Sequence, residues 1–124
     1  MLKILVVDDE PDTCDFVKSF FEARGFRVFF ALNGLDGIKI VKEKHPEIAI
    51  LDIKMKGIDG IETLERIRKI DKKIKIIMVT AVNDEERIKT ARKLGCRDYI
   101  TKPLVLENLE ATVRKCAKEC ENER

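Results

Sequence analysis

The chain is poor in the residues that build soft-metal and redox centres. Its 124 residues contain one histidine, His45, and four cysteines, Cys14, Cys96, Cys116 and Cys120, with no pair at the two-residue spacing of a zinc or dithiol motif. A histidine-based metal cluster is excluded, and the cysteines read as reduced, packed thiols, with Cys116 and Cys120 stacked on one helix face. Long apolar stretches are also missing. Runs such as residues 4–7, 48–51 and 76–79 are four residues long, against roughly twenty for a membrane span. No apolar leader with a small-residue cleavage site follows Met1, so export is not indicated and a cytoplasmic location is expected. Charge of one sign is not in excess either. The 25 basic and 23 acidic residues leave a formal charge of +2, which does not mark a bulk nucleic-acid binder.

What is present is enough apolar material for one core. A hydrophobic fraction of 44% in a chain this short fits a single domain over residues 1–124 and is too little for two independent cores. Five runs rich in β-branched residues recur, at 3–7, 27–31, 48–52, 74–80 and 97–101. Three of them are nearly continuous rather than alternating, the pattern of strands covered on both faces in a parallel sheet. Between them lie helical stripes: Cys14, Val17, Phe20 and Phe21; Ile61, Leu64 and Ile67; and Leu106, Leu109, Val113, Cys116 and Cys120. Pro11 suits a first helical turn, Gly25 and Gly95 suit left-handed stops, and Pro46 blocks continuation of the second helix. Asn33 and Asn83 read as N-caps, with Asp36 and Glu86 three residues on, and the polar tail 119–124 is expected to fray. Strand and helix alternate five times. The fold class is therefore α/β, a (βα)5 three-layer sandwich on a parallel five-stranded sheet, with the flavodoxin-like order 2-1-3-4-5 as the leading candidate.

In such sheets chemistry gathers at the carboxyl ends of the strands. There the sequence places Asp8 and Asp9, Asp52, Thr80, and Thr101 followed by Lys102 and Pro103. Crowded carboxylates repel unless something neutralises them, so a cation is implied. Oxygen ligands without histidine or paired cysteine select a hard ion, Mg²⁺ before Ca²⁺. Each residue also has an ordinary reading. Asp8 and Asp9 fit as caps of the helix at Pro11, Asp52 as the cap of a turn, Thr80 as a strand-end residue and Lys102 as a solvated charge. Their joint position at the ends of four strands favours a site.

Four motifs carry a family resemblance: Leu5-Val6-Val7-Asp8-Asp9-Glu10; Leu51-Asp52-Ile53-Lys54-Met55 running on to Asp59-Gly60; Val79-Thr80-Ala81; and Tyr99-Ile100-Thr101-Lys102-Pro103. Over essentially the whole chain the sequence resembles the receiver domain of two-component response regulators. The resemblance implies that Asp52 is the phosphoacceptor, taking a phosphoryl group from a sensor histidine kinase or a histidine phosphotransferase. It implies that Asp9, Asp52 and the backbone carbonyl of Lys54 hold Mg²⁺ with Asp8 acting through water, and that Lys102 pairs with a phosphoryl oxygen. Thr80 and Tyr99 are implied to be the switch that carries the change to the surface of helix four, strand five and helix five. Lys54 and Val82 hold positions that tune phosphoryl lifetime, and the resemblance implies a cis Lys102-Pro103 bond. Lys56 departs from the family's usual proline, which is expected to loosen the turn from Met55 to Gly57.

Several readings follow from the same residues. The chain is expected to act as a phosphoacceptor switch or relay rather than as an enzyme, with a downstream effector or its own output domain as partner and a phosphorylation-dependent dimer as one outcome. The alternative is a receiver belonging to a longer DNA-binding transcriptional regulator. An aspartyl-phosphate phosphatase or phosphotransferase is the lesser alternative, because Lys54 stands where such enzymes place a second aspartate. Phe16 is expected either to face a kinase's helical bundle beside the site or to pack under the last helix.

Overall fold

The computed structural model describes residues 1–81 and 83–123. Five strands, β1 (Lys3–Val7), β2 (Arg27–Ala31), β3 (Ile48–Asp52), β4 (Lys75–Thr80) and β5 (Asp98–Thr101), alternate with five helices. These are α1 (Pro11–Glu22), α2 (Gly34–Lys44), α3 (Gly60–Ile70), α4 (Glu85–Lys93) and α5 (Leu106–Asn122). All strand pairs are parallel and the order is β2-β1-β3-β4-β5. This is the flavodoxin-like arrangement expected from the alternating elements.

The uninterrupted apolar strands are explained by two cores, one on each face. Ile4, Val6, Ile48, Ile50, Ile77 and Val79 point towards α1 and α5, where they meet Cys14, Val17, Phe21, Leu109, Val113 and Cys116. Their neighbours Leu5, Val7, Ala49, Leu51, Ile76 and Met78 point the other way and meet Ile38 and Val41 of α2, Leu64 and Ile67 of α3 and Ala91 of α4. Successive strand side chains alternate faces, so a strand buried on both sides must be apolar at every position. The helices are unevenly anchored. α4 buries only Ala91, and its far end is held by Arg68 of α3, whose guanidinium donates to the carbonyls of Gly95 and Ile74, each at 2.6 Å.

Helix boundaries mostly follow local chemistry. Asn33 caps α2 by accepting from the Asp36 N–H at 2.8 Å, and Pro11 opens α1. Gly25 (φ 90°) and Gly95 (φ 92°) are the left-handed stops. α2 ends instead on His45, which takes a left-handed φ of 50° before Pro46. Asn83 does not cap α4. It has φ 67°, and Asp84 occupies the cap position without a side-chain capping bond. Val82 lies outside the described residues. Through Glu123 the tail is ordered where fraying was expected, and Arg124 lies outside the described residues. α5 runs to Asn122 because Glu119 pairs with Arg97, Glu123 pairs with Lys75, and Cys120 is buried. No disulfide joins the four cysteines, and no helix among the described residues is long and apolar enough to cross a membrane.

Two hydrogen bonds fix the far end of the loop that follows β3. Asp59 caps α3 through the Glu62 N–H at 2.9 Å, and the Gly60 N–H donates to the Ile53 carbonyl at 2.8 Å. The helix thus starts directly on the backbone at the end of β3. A Cβ on Gly60 would stand 2.3 Å from the Asp52 carbonyl oxygen and 2.7 Å from Ile53 Cα. Both obstacles are backbone. Gly60→Ala is therefore expected to destabilise the protein by about 2–4 kcal/mol in equilibrium urea unfolding. A loss below about 1 kcal/mol would show that α3 can retreat without strain.

Candidate functional site

The sheet topology brings the end of β1 beside the end of β3, with β4 next in line, so residues far apart in sequence meet at one rim. Asp8, Asp9 and Asp52 each offer a carboxylate oxygen within 4.8 Å of the others. Asp8 and Asp52 are buried, at 8% and 4% exposure, and Asp9 is half-buried. Lys102 reaches back from the loop after β5, and its Nζ donates to Asp52 Oδ2 at 2.9 Å. The Lys102–Pro103 bond is cis, as the resemblance implied.

The ordinary capping reading fails for Asp8 and Asp9 and holds for Asp52. Glu10, not Asp8 or Asp9, occupies the N-cap position of α1, and it makes no side-chain cap bond. Asp8 Oδ1 accepts from the Glu10 N–H at 2.9 Å, and Asp52 Oδ1 accepts from the Lys54 N–H at 3.2 Å, which is the turn-forming bond foreseen for it. Asp9 Oδ2 accepts from the Lys56 N–H at 3.3 Å. The departure at Lys56 thus adds a donor that proline could not supply. Asp59, Lys54, Met55, Lys56 and Arg87 join Asp9 in lining an adjoining cleft of about 350 Å³.

Electrostatics make the cluster costly by itself. Burial pushes the Asp8 carboxyl up to about 6, against the Glu10 N–H and with further upward pressure from the Asp52 charge. Burial also works against the Lys102 ammonium, but the hydrogen bond and charge of Asp52, with help from Asp8 and Glu10, hold its pKa above the ordinary lysine value. One ammonium faces three carboxylates, which leaves room for a doubly charged cation. The donors present are all oxygens, so the acidic pocket fits a hard metal ion.

The remaining expected residues surround this centre in two layers. Thr80 ends β4, is buried at 1% exposure, and its Oγ1 donates to the Ala81 carbonyl at 3.4 Å rather than to Asp52. Tyr99 pairs in register with Met78 of β4 and is half-buried against the core under α4, with the Arg92 guanidinium carbon 5.0 Å from its ring centroid. The ring therefore lies between the strand that carries Thr80 and the weakly anchored α4. Phe16 is 69% exposed and does not pack under α5. With Asp12, Thr13, Val17, Leu104 and Leu106 it lines a groove of about 340 Å³ between α1 and the start of α5. Sequence reasoning had no signal for one contributor, the Lys56 N–H, because a main-chain amide leaves no residue-type signature; the close approach of Gly60 was signalled only by the glycine in the Asp59-Gly60 motif.

A family model described as response regulator receiver domain matches residues 4–114. Sporulation initiation phosphotransferase F of Bacillus subtilis (strain 168) is 34% identical over 113 residues, covering 91% of both chains. The probable C4-dicarboxylate response regulator DctR of the same organism is 37% identical over 115 residues, but this chain spans only 51% of it. A crystal structure of a CheY-like response regulator receiver domain protein from Methanospirillum hungatei JF-1 superposes with TM-score 0.95 at 29% identity, covering 100% of this chain and 99% of that one.

The Asp8 shift has a definite sign. Its folded pKa of about 6 lies above the ordinary 3.8, so its contribution to stability is greatest below pH 4 and is lost as the pH rises through 6. In metal-free buffer at pH 7, Asp8→Asn is expected to be more stable than wild type by about 2 kcal/mol. Urea melts from pH 4 to 7.5 should show that gap closing towards pH 4. A gap independent of pH would contradict the electrostatic account.

Proposed function

The chain belongs to the response regulator receiver domain family, whose members are phosphoacceptor signalling switches, and from that premise we propose that Asp52 is the phosphoacceptor. The observation that carries this is the placement of Asp52, buried beside Asp8 and Asp9 with Lys102 on its Oδ2. The donor is a phosphohistidine on a sensor kinase or a histidine phosphotransferase. An Asp52 oxygen attacks the phosphorus in line, the P–N bond breaks, and its electron pair returns to the imidazole ring. A carboxylate needs no general base for this, so catalysis reduces to positioning and charge neutralisation. Mg²⁺, held by Asp9, Asp52 and the Lys54 carbonyl with Asp8 behind a water, would spread the charge of the transferring oxygens. Lys102 exchanges Asp52 Oδ2 for a phosphoryl oxygen, and the Thr80 hydroxyl turns from Ala81 towards the new group.

The output is a change of surface. When Thr80 moves, space opens beneath Tyr99, and α4, buried only through Ala91, follows at small cost. The chain thereby acts as a switch located in the cytoplasm, with a kinase upstream and an effector or output domain downstream. A second reading, a receiver joined to a DNA-binding output module, is supported by relatives such as ZraR of Klebsiella oxytoca, of which this chain spans 25%. Lys54, two residues after Asp52, lies over the phosphoryl group, and Val82, two residues after Thr80, offers no group to orient an attacking water. The aspartyl phosphate is accordingly slow to hydrolyse, on the order of minutes or longer.

Incubation with Mg²⁺ and acetyl phosphate, followed by intact-mass measurement, should give one phosphoryl adduct that decays over that period. Asp52→Asn and chelator should each abolish it. An adduct that survives either would assign the chemistry elsewhere. The α1–α5 groove around Phe16 is the docking face for the kinase's helical bundle. With a kinase that phosphorylates wild type, Phe16→Ala should slow transfer about tenfold, the worth of one apolar anchor. Labelling by acetyl phosphate should stay unchanged. Equal slowing of both reactions would remove the docking role.

A further inference from the structure

Each carboxylate of the acidic cluster is held by one main-chain amide: Asp8 by Glu10, Asp52 by Lys54 and Asp9 by Lys56. The first two bonds are local, spanning two residues. The third spans 47 residues, from the loop after β1 to the loop between β3 and α3, so it is the only one of the three that ties two separate segments of the rim together. That loop is otherwise fixed at its ends, by the Lys54 bond to Asp52 and by the Asp59 cap on α3. Between them it turns through Gly57 at φ 82°.

We propose that the Lys56 N–H is a positioning group for the cation site: it fixes the Asp9 carboxylate through Oδ2, leaves Oδ1 directed to the cation, and couples the order of the 54–57 loop to occupancy. The inference rests on the reading of Asp8, Asp9 and Asp52 as the cation ligands. A charged acceptor strengthens the bond. Asp9 is only half-buried, so without this donor its carboxylate has solvent-facing rotamers that must be given up when an ion enters. Partners that orient metal ligands in this way are commonly worth tenfold or more in affinity. Because coupling is reciprocal, an ion that fixes Asp9 also protects the Lys56 N–H. The side chain of Lys56 has no part in the bond, so alanine preserves the donor and proline deletes it.

The test compares wild type, Lys56→Ala and Lys56→Pro, each stripped of metal and checked for intact folding by circular dichroism, in calorimetric titrations with Mg²⁺. Lys56→Ala should bind within about twofold of wild type, and Lys56→Pro about tenfold more weakly. Since proline also stiffens the backbone, amide hydrogen exchange of the wild type is the second readout. The Lys56 amide should be protected in chelator and further protected by Mg²⁺. Equal affinities for the two variants, loss in both, or an unprotected Lys56 amide would overturn the proposal while leaving the cation site standing. A folded wild type that takes up no Mg²⁺ at millimolar concentration would overturn both.

Discussion

The structure turns on a repulsion. Asp8, Asp9 and Asp52 bring carboxylate oxygens within 4.8 Å of one another in a partly dehydrated rim, and the Lys102 ammonium pairs with Asp52. Separated on the surface, these groups would each be hydrated at little cost. Together they leave negative charge uncompensated, and the Asp52 charge adds to the burial that chiefly raises the Asp8 carboxyl. Such a site is unstable as it stands, and a divalent cation and then a phosphoryl group can relieve it in turn. Function here follows from an electrostatic debt that folding alone does not settle.

Everything that delivers this arrangement is backbone architecture. Two apolar cores press helices on both faces of the sheet, so the strand ends stay free of side-chain packing and available for chemistry. The close seat of Gly60 on the backbone of Asp52 and Ile53 sets where the β3 strand stops and the loop begins. Amides at positions 10, 54 and 56 then hold the three carboxylates. On the far side of β4 the anchoring is lighter. α4 rests on Ala91 and on the Arg68 guanidinium near its end, beside a half-buried Tyr99. Rigid chemistry next to a loosely held helix is the division of labour that a switch requires.

Much of this could be read from residue types. Continuous apolar strands imposed burial on both faces, and with it a parallel sheet; β1, β2 and β3 begin and end where the apolar runs do. β4 and β5 each start one residue later than expected, at Lys75 and Asp98, because Ile74 and Arg97 are apolar or long enough to mimic a strand start. Asn33 was recognisable as a cap because its side chain must accept the Asp36 N–H. Asn83 has the same composition signal but takes a left-handed φ of 67° instead. His45 in a position favoured by glycine and the ordered end of α5 were hidden as well. The ordered end of α5 depends on neighbours distant in sequence, Lys75 and Arg97. At the site, the acids and Lys102 were legible by type and place. The Lys56 donor was not, since an amide is present at every residue but proline and only the fold says where it points.

The central claim, that the rim carboxylates form one divalent-cation site, is tested most directly by replacing Mg²⁺ with Mn²⁺ and recording the backbone amide spectrum. A single site at the rim predicts saturable paramagnetic broadening confined to residues around Asp8, Asp9, Asp52 and Lys54, reversed by excess Mg²⁺. Broadening scattered over the acidic surface, or none near Asp52, would contradict it.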